Sequence, residues 1–464
     1  MIVKVRTVII TCIILIACCM YFLLGNENSI LFSVLFLVIA VVVVVDSTMQ
    51  AVKNQCLLSF ITIANVFAVA IFVLRPLQLL MSNDFSESAE LQRYFTYYGE
   101  IARENLPWAK ASLIGMLGIF CVNFPFLSSK YKSSFSIRNM TTFIDGYKFT
   151  WNQHIGLGLF VLLGLFSAGV YILKKSLYSS VHIYDMLWIF IFSCIIIYLI
   201  TRKRTAGILV YLLIGLSIIV LSLGGRRQYI VNLLLCYIIP LYYAGKNRKT
   251  TFIRIGFMLL GILVVVFVYA GIRRSLIGDS TEVAFVEGIL DEFCMYDMLL
   301  ASLCYVKTYG INFFMGYNYL TVFTTPIQGL SIEQFDHRLT DMVFQGKFYG
   351  AVPTSLFGSL YFNFSFIGVC IGAILVGTLL LYIQKRLSKI STYESIGYYS
   401  IVSTFVYDLI RVGDFGRELW SLITLLLVYY VFSFFMNKFG NDNLRLKGER
   451  GYKNGARNKW EKNC

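Results

Sequence analysis

Charge is what this chain has least of. Charged residues fill 14% of its 464 positions, against about 25% in a soluble domain. A soluble chain of this length divides into domains joined by polar linkers, and no such linker is present. Histidine is almost missing, with three in the whole chain. They are too few and too scattered for a histidine metal cage, and H-E-x-x-H does not occur. The 11 cysteines include no C-x-x-C spacing, which excludes zinc-ribbon and thioredoxin-like sites. Most of them lie in apolar segments, where a thiol is a small packing group. Cys294 and Cys304 share a polar stretch, but on one helix they would stand about 15 Å apart, too far to pair. The absence of G-x-x-x-x-G-K-[ST] removes a built-in P-loop ATPase. Gly156-x-Gly158 lacks its third glycine, Val161 standing there, and reads as packing within an apolar segment.

Apolar runs take the place of what is missing. Hydrophobic residues make up 58% of the chain. Segments such as Ile30–Val45 and Gly207–Leu223 are apolar on every face, so their solvent is lipid or other helices. Counting runs near the length that crosses a bilayer predicts about 12 transmembrane helices. They are Val8–Leu24, Ile30–Val45, Cys56–Leu74, Trp108–Leu127, Ile155–Leu173, Met186–Ile200, Gly207–Leu223, Tyr229–Ala244, Phe252–Ala270, Leu356–Ile383, Ile396–Arg411 and Glu418–Met436. The first has no small-residue cleavage site and is followed at once by another apolar run, unlike a cleaved signal. The expected fold is an all-α integral membrane protein in four parts. Helices fill 1–270, a large extracytoplasmic loop with short helices fills 271–355, further helices fill 356–436, and 437–464 is a basic cytoplasmic tail.

Lysine and arginine set the orientation. One set of loops holds Lys4, Arg6, the stretch 130–148, Arg202-Lys203-Arg204, Lys246–Lys249 and Lys385–Lys389, and the tail after Met436 joins it. By the positive-inside rule that side is cytoplasmic, both termini included. Lys174-Lys175 runs against the pattern, although lysines at a helix end reach either surface. The net charge of +15 then reads as a topology anchor touching anionic lipid, not as a nucleic-acid surface.

Against that bias, a set of arginines falls on the outer side. Arg75 ends the third span, Arg226-Arg227 follow Gly224-Gly225 in a short turn, and Arg273-Arg274 open the long loop. Arg338 lies in its second half beside His337, and Arg411 and Arg417 bracket another turn. Guanidinium presents a planar fork of donors matched to phosphate oxygens and keeps its charge. Several together suit a pyrophosphate; each alone equally suits a neighbouring acid or a headgroup. Within the long loop, helical spacing runs from Val283 to Leu303 after a Ser280 or Thr281 cap. The stretch 332–342 then gathers Glu333, Asp336, His337, Arg338 and Asp341. His337 is the side chain there that trades a proton near neutral pH without a large shift. Asp408, Arg411 and Asp414 form a further charged group, in which Asp408 and Arg411 share one helix face. Aromatics including Tyr317, Tyr319, Phe335, Tyr349 and Tyr361 surround the loop, placed for a membrane interface or for stacking on sugar rings. Gly368-x-x-x-Gly372 has small-xxx-small spacing and predicts helix–helix packing.

Four segments in this order resemble Wzy-type oligosaccharide repeat-unit (O-antigen) polymerases. They are Leu221–Arg227, Gly310–Pro326, Pro353–Gly372 and Arg411–Phe415. This chain departs from that family's pattern with Ser359 before Leu360-Tyr361, with Ser365 in place of the glycine of Asn-Phe-Gly, and with Ile327-Gln328 after Pro326. The resemblance implies a GT-C-like membrane transferase of the bacterial cytoplasmic (inner) membrane. Such an enzyme joins oligosaccharides built on undecaprenyl pyrophosphate at the outer face, beside a flippase and a chain-length regulator. It implies no metal, no cofactor and no nucleic acid. In that reaction Arg226, Arg227, Arg273 and Arg274 would surround the donor pyrophosphate, with Arg75, Arg411, Asp414 and Tyr361 as further substrate contacts. His337 would be the base or aligner and Arg338 a phosphate contact. An O-antigen ligase shares the outer arginines and a loop histidine, and a lipid-linked oligosaccharide or polysaccharide exporter shares the many spans. Both stay open at this point.

Overall fold

A computed structural model describes residues 5–53, 58–81, 106–128, 149–177, 186–203, 207–223, 228–244, 253, 256, 294–309, 316, 319, 335–344, 352–389 and 393–439. Among the described residues the chain is all-helical, with no strand. In chain order the helices are α1 (Val5–Leu24), α2 (Ile30–Lys53), α3 (Phe60–Val69), α4 (Arg75–Met81), α5 (Trp108–Ser128), α6 (Trp151–Leu177) and α7 (Leu187–Lys203). They continue as α8 (Ile208–Leu223), α9 (Gln228–Ala244), α10 (Met295–Tyr309), α11 (Phe335–Phe344), α12 (Ser355–Lys389), α13 (Tyr393–Val412) and α14 (Phe415–Phe439). Among the described residues, seven helical stretches are long and apolar enough to cross a membrane. The apolar runs read from the sequence fall on these helices, except Phe252–Ala270, of which all but Ile253 and Gly256 lies outside the described residues.

The chain divides into two compact units. The first comprises Met1–Ser134, Gly256–Lys389 and Phe405–Trp420. Its centre is α5, buried along almost its whole length and packed by α2 and α12. Polar side chains bolt these helices together where no water can satisfy them. Asn65 of α3 and Asn123 of α5 exchange amide hydrogen bonds of 2.9 and 2.7 Å. The hydroxyls of Ser33, Ser112 and Tyr296 form a chain at 2.7 and 3.1 Å that joins α2, α5 and α10. Interhelical bonds of this kind contribute about 0.6 kcal/mol each, so their number matters more than any one of them. At one end of the unit Arg6 pairs with Asp46 at 2.8 Å. At the other end Lys110 pairs with Glu27 at 2.9 Å and sits over the ring of Tyr361.

Between α3 and α4 the helix widens into a π-helical turn, Ala70–Leu74. Such turns are uncommon and often mark functional sites. This one delivers Arg75 into the unit's interior, where its side chain is fully buried.

The run Leu356–Ile383, expected to cross as one span, is two limbs. Inside α12, Phe364 (φ −141°, ψ 18°) and Ser365 (φ 61°, ψ −161°) leave helical geometry. A Cβ at Gly368 would meet the Leu360 carbonyl, and one at Gly372 would meet the Leu360 side chain. In a straight helix residues 360 and 372 lie about 18 Å apart. The chain therefore folds back on itself, and the small-xxx-small pair packs against the limb that precedes it. That first limb, 355–363, is buried on every face, which is where a membrane protein tolerates broken backbone. Ser365 sits in a backbone region that is essentially reserved for glycine, at a cost of about 1–3 kcal/mol. Ser365→Gly is expected to raise the melting temperature of the detergent-purified protein, by an amount equivalent to roughly 1 kcal/mol. An unchanged or lowered melting temperature would show that the serine is not strained.

The second unit comprises Phe135–Ile255, Ile390–Thr404 and Ser421–Cys464. Within it α7 lies against α6 and α9. Phe432 makes T-shaped contacts with the rings of Phe160 and Tyr198. Asn437 accepts from Arg202 at 3.2 Å and donates to Glu394 at 3.2 Å. On α6, Leu159, Leu162, Phe166 and Leu173 face outward, as a lipid-facing helix requires.

Candidate functional site

The site grows from one turn in the first unit. Helix α13 ends at Val412, and Gly413 takes φ 75° while its N–H bonds the Leu409 carbonyl at 3.0 Å. This is the left-handed C-cap that glycine serves best. Asp414 then caps α14. Its Oδ1 accepts from the N–H of Gly416 at 3.1 Å and of Arg417 at 3.3 Å, the standard use of an N-cap carboxylate. A Cβ at Gly413 would strike the Ser355 carbonyl, so this turn lies directly on the start of α12. Ser355 itself takes φ 73°.

Among the described residues, four acids lie in the interior around the turn. Asp336 on α11, Asp408 on α13, and Asp414 and Glu418 at the start of α14 are each at most 5% exposed. Buried carboxylates need partners, and two arginines face them. Arg417 lies 3.5 Å from Asp336 and 3.6 Å from Glu418, and Arg411 adds a second positive charge near Glu418. Asp336 is fixed at the foot of its helix. Thr340 donates to its carbonyl at 2.6 Å and accepts from the Val352 N–H at 3.0 Å, tying α11 to the chain that enters α12. Burial, and then the charge of Asp336, push the Asp414 carboxyl up to about 6, against the opposing pull of Arg417. Tyr319 lies close enough for the charge of Asp414, added to burial, to push its phenol up to about 12. Among the described residues no group of three or more His, Cys, Asp or Glu is arranged to hold a metal ion; guanidinium groups answer these carboxylates instead.

Aromatic and amide contacts bring a third segment in. The Gly316 N–H donates to the Asn363 side chain at 3.1 Å, and Tyr319 stacks parallel on Phe364 with ring centres 6.1 Å apart. Gly316 and Tyr319, the start of α12 and the Arg411–Phe415 turn are thus all joined within one unit. No family model, curated protein or solved structure matches the chain. What the site can do is therefore read from its geometry and from the resemblance of its segments.

The residues singled out from the sequence fall in different places. Arg411 and Asp414 belong to the cluster. His337 and Arg338 follow Asp336 on α11, His337 exposed and Arg338 half-buried. Tyr361 is buried beside Lys110, on the Glu27 side of the unit. Arg75 is sealed in the interior: its Nε bonds Asp297 at 3.0 Å, one terminal nitrogen bonds Asp297 at 2.6 Å and the other bonds Gln78 at 2.8 Å. Both of these last residues come from the first unit, and the guanidinium joins α4 to α10. Arg226, Arg227, Arg273 and Arg274 lie outside the described residues. Glu418 and the pairing of Arg417 with Asp336 were missed in the sequence. The signal was an Arg-Glu pair opening an apolar run, since an ionisable residue at a membrane span asks for a partner.

Proposed function

We propose that this chain is a membrane glycosyltransferase that joins oligosaccharide repeat units carried on undecaprenyl pyrophosphate. Its twelve-crossing, GT-C-like plan would face the site outward across the bacterial cytoplasmic membrane, with both termini inside. The observation that carries the reading is the meeting of three polymerase-like segments in one unit: Gly316 and Tyr319 on Asn363 and Phe364, and Gly413 on Ser355. A buried acid–arginine cluster at that meeting point supports it, because fixed charges in a water-poor site act strongly on developing charge.

In this reading the donor sugar leaves its pyrophosphate as a hydroxyl of the next lipid-linked unit attacks. Arg226-Arg227 and Arg273-Arg274 grip the departing pyrophosphate, whose charge grows in the transition state. The acceptor is aligned near the Asp414 turn, since positioning supplies much of such a rate. A flippase delivers the units and a chain-length regulator acts beside the enzyme.

The test is Arg227→Lys with Arg273→Lys in cells that make the polysaccharide. Lysine keeps the charge and loses the fork. Long chains are expected to disappear while single lipid-linked units accumulate. Chains of normal length would reject the pyrophosphate assignment. A single transfer of finished glycan onto a different lipid acceptor would mark a ligase instead.

A further inference from the structure

We propose that Asp414 is the general base of the transfer and receives the acceptor hydroxyl's proton on Oδ2. The proposal rests on the glycosyl-transfer reading above and assigns the proton within it.

Asp414 and Thr354 each carry a buried polar atom without a hydrogen-bond partner among the described residues. Asp414 is 3% exposed, and its Oδ1 is committed to the two amides that start α14. Its Oδ2 has no hydrogen-bond partner. Thr354 is fully buried, and its Oγ1 has none either. Thr354 precedes Ser355, whose carbonyl abuts Gly413, the residue before Asp414. Both orphans thus belong to the same junction of turn and re-entry limb. An unmade buried hydrogen bond is costly, and folded proteins keep few of them. A ligand hydroxyl satisfies both kinds of atom, donating its proton to a carboxylate and accepting from an alcohol.

The surroundings suit a base. Asp336 faces Asp414 from α11, Arg417 and Glu418 from α14, and Tyr319 from the loop. Asp408 and Arg411 face Glu418 from α13. Burial and the Asp336 charge raise the carboxyl to about 6, so it is ionised at neutral pH yet more basic than a solvated aspartate. Helix α11 holds His337 exposed, whereas Asp414 is buried. The step balances without a redox partner. A bond forms between the acceptor oxygen and the donor's anomeric carbon. The bond from that carbon to the phosphate oxygen breaks, its electron pair leaves with the pyrophosphate, and the proton passes to Asp414 and then to water.

The experiment uses the full chain reconstituted in liposomes, with native lipid-linked repeat units isolated from host cells deleted for this chain. Wild type is expected to elongate them, with a rate that declines as pH falls through about 6. Asn and Asp are nearly equal N-caps, so Asp414→Asn should melt like wild type and keep its KM for the donor. Its turnover should fall about 100-fold or more, and the residual rate should lose the acidic decline. Should the asparagine variant melt early, Asp414→Ser, also a good cap, is read by the same criteria. Turnover within threefold of wild type, or a reduced rate that keeps the acidic decline, overturns the assignment. Failure of wild type to elongate the units would instead reject the glycosyl-transfer reading.

Discussion

Replacing Asp297 with alanine is expected to cost the protein about 3–5 kcal/mol, the usual penalty for stripping one partner from a buried ion pair. The reason is geometric. Both side chains are fully buried, and Arg75 meets Asp297 through two of its nitrogens. No water reaches the guanidinium to replace the lost carboxylate. The variant should show a large fall in melting temperature and little folded protein in detergent. Asp297→Asn should fall between the two, because it keeps the shape and loses the charge.

A second change separates structure from substrate binding. Exchanging both partners for apolar residues of similar volume, Arg75→Met with Asp297→Leu, removes the buried charges together. Such exchanges are often neutral or stabilising, so the double variant should recover most of the loss. On the glycosyl-transfer reading proposed above it should also keep elongating glycan, since the guanidinium already bonds Asp297 and Gln78. A double variant that melts like wild type and makes no polymer would return Arg75 to the substrate site.

These residues also show how much could be read before folding. Length and continuity of apolar runs announce most of the helices, because lipid exposure makes them apolar all round, as on α1 and α6. The break in α12 was hidden. Its flanks are equally apolar, and Ser365 stands where a glycine would have announced a reversal. Arg75 was legible as a cation at the end of a span, but not its partner, which stands on α10 far along the chain. Nothing local in a sequence reports such a pairing. The acid cluster was half legible. Asp408, Arg411 and Asp414 share a short stretch, whereas Asp336 joins them only because Thr340 ties α11 to the entry of α12. Glu418 was read as the first residue of an apolar run, and folding buries it. His337 was chosen for its chemistry, and its exposure is a property of the fold that leaves that choice open to test.

Among the described glycines, Gly413 is one where an added methyl should be especially damaging. Two costs coincide there. The left-handed backbone, φ 75°, penalises a side chain by roughly 1–2 kcal/mol. The added methyl also strikes the Ser355 carbonyl and comes within 2.9 Å of the Leu356 Cα, both backbone atoms that no rotamer can move. Overpacking of this kind typically costs a further 1–3 kcal/mol. The total, about 2–5 kcal/mol by these two terms, should appear as a lower melting temperature. Asp414 is the next residue, so, on the role proposed for it above, activity should fall further than the fraction unfolded accounts for. Gly118 is the control. A methyl there meets the ring of Phe357, a side chain, so Gly118→Ala should be rescued by Phe357→Leu. No side-chain change at Ser355 should remove the clash in Gly413→Ala, because a carbonyl survives every change of side chain. Ser355 itself has φ 73°, so Ser355→Gly should stabilise both backgrounds equally; a larger gain in Gly413→Ala than in wild type would mean that the turn and the start of α12 do not touch through their backbones.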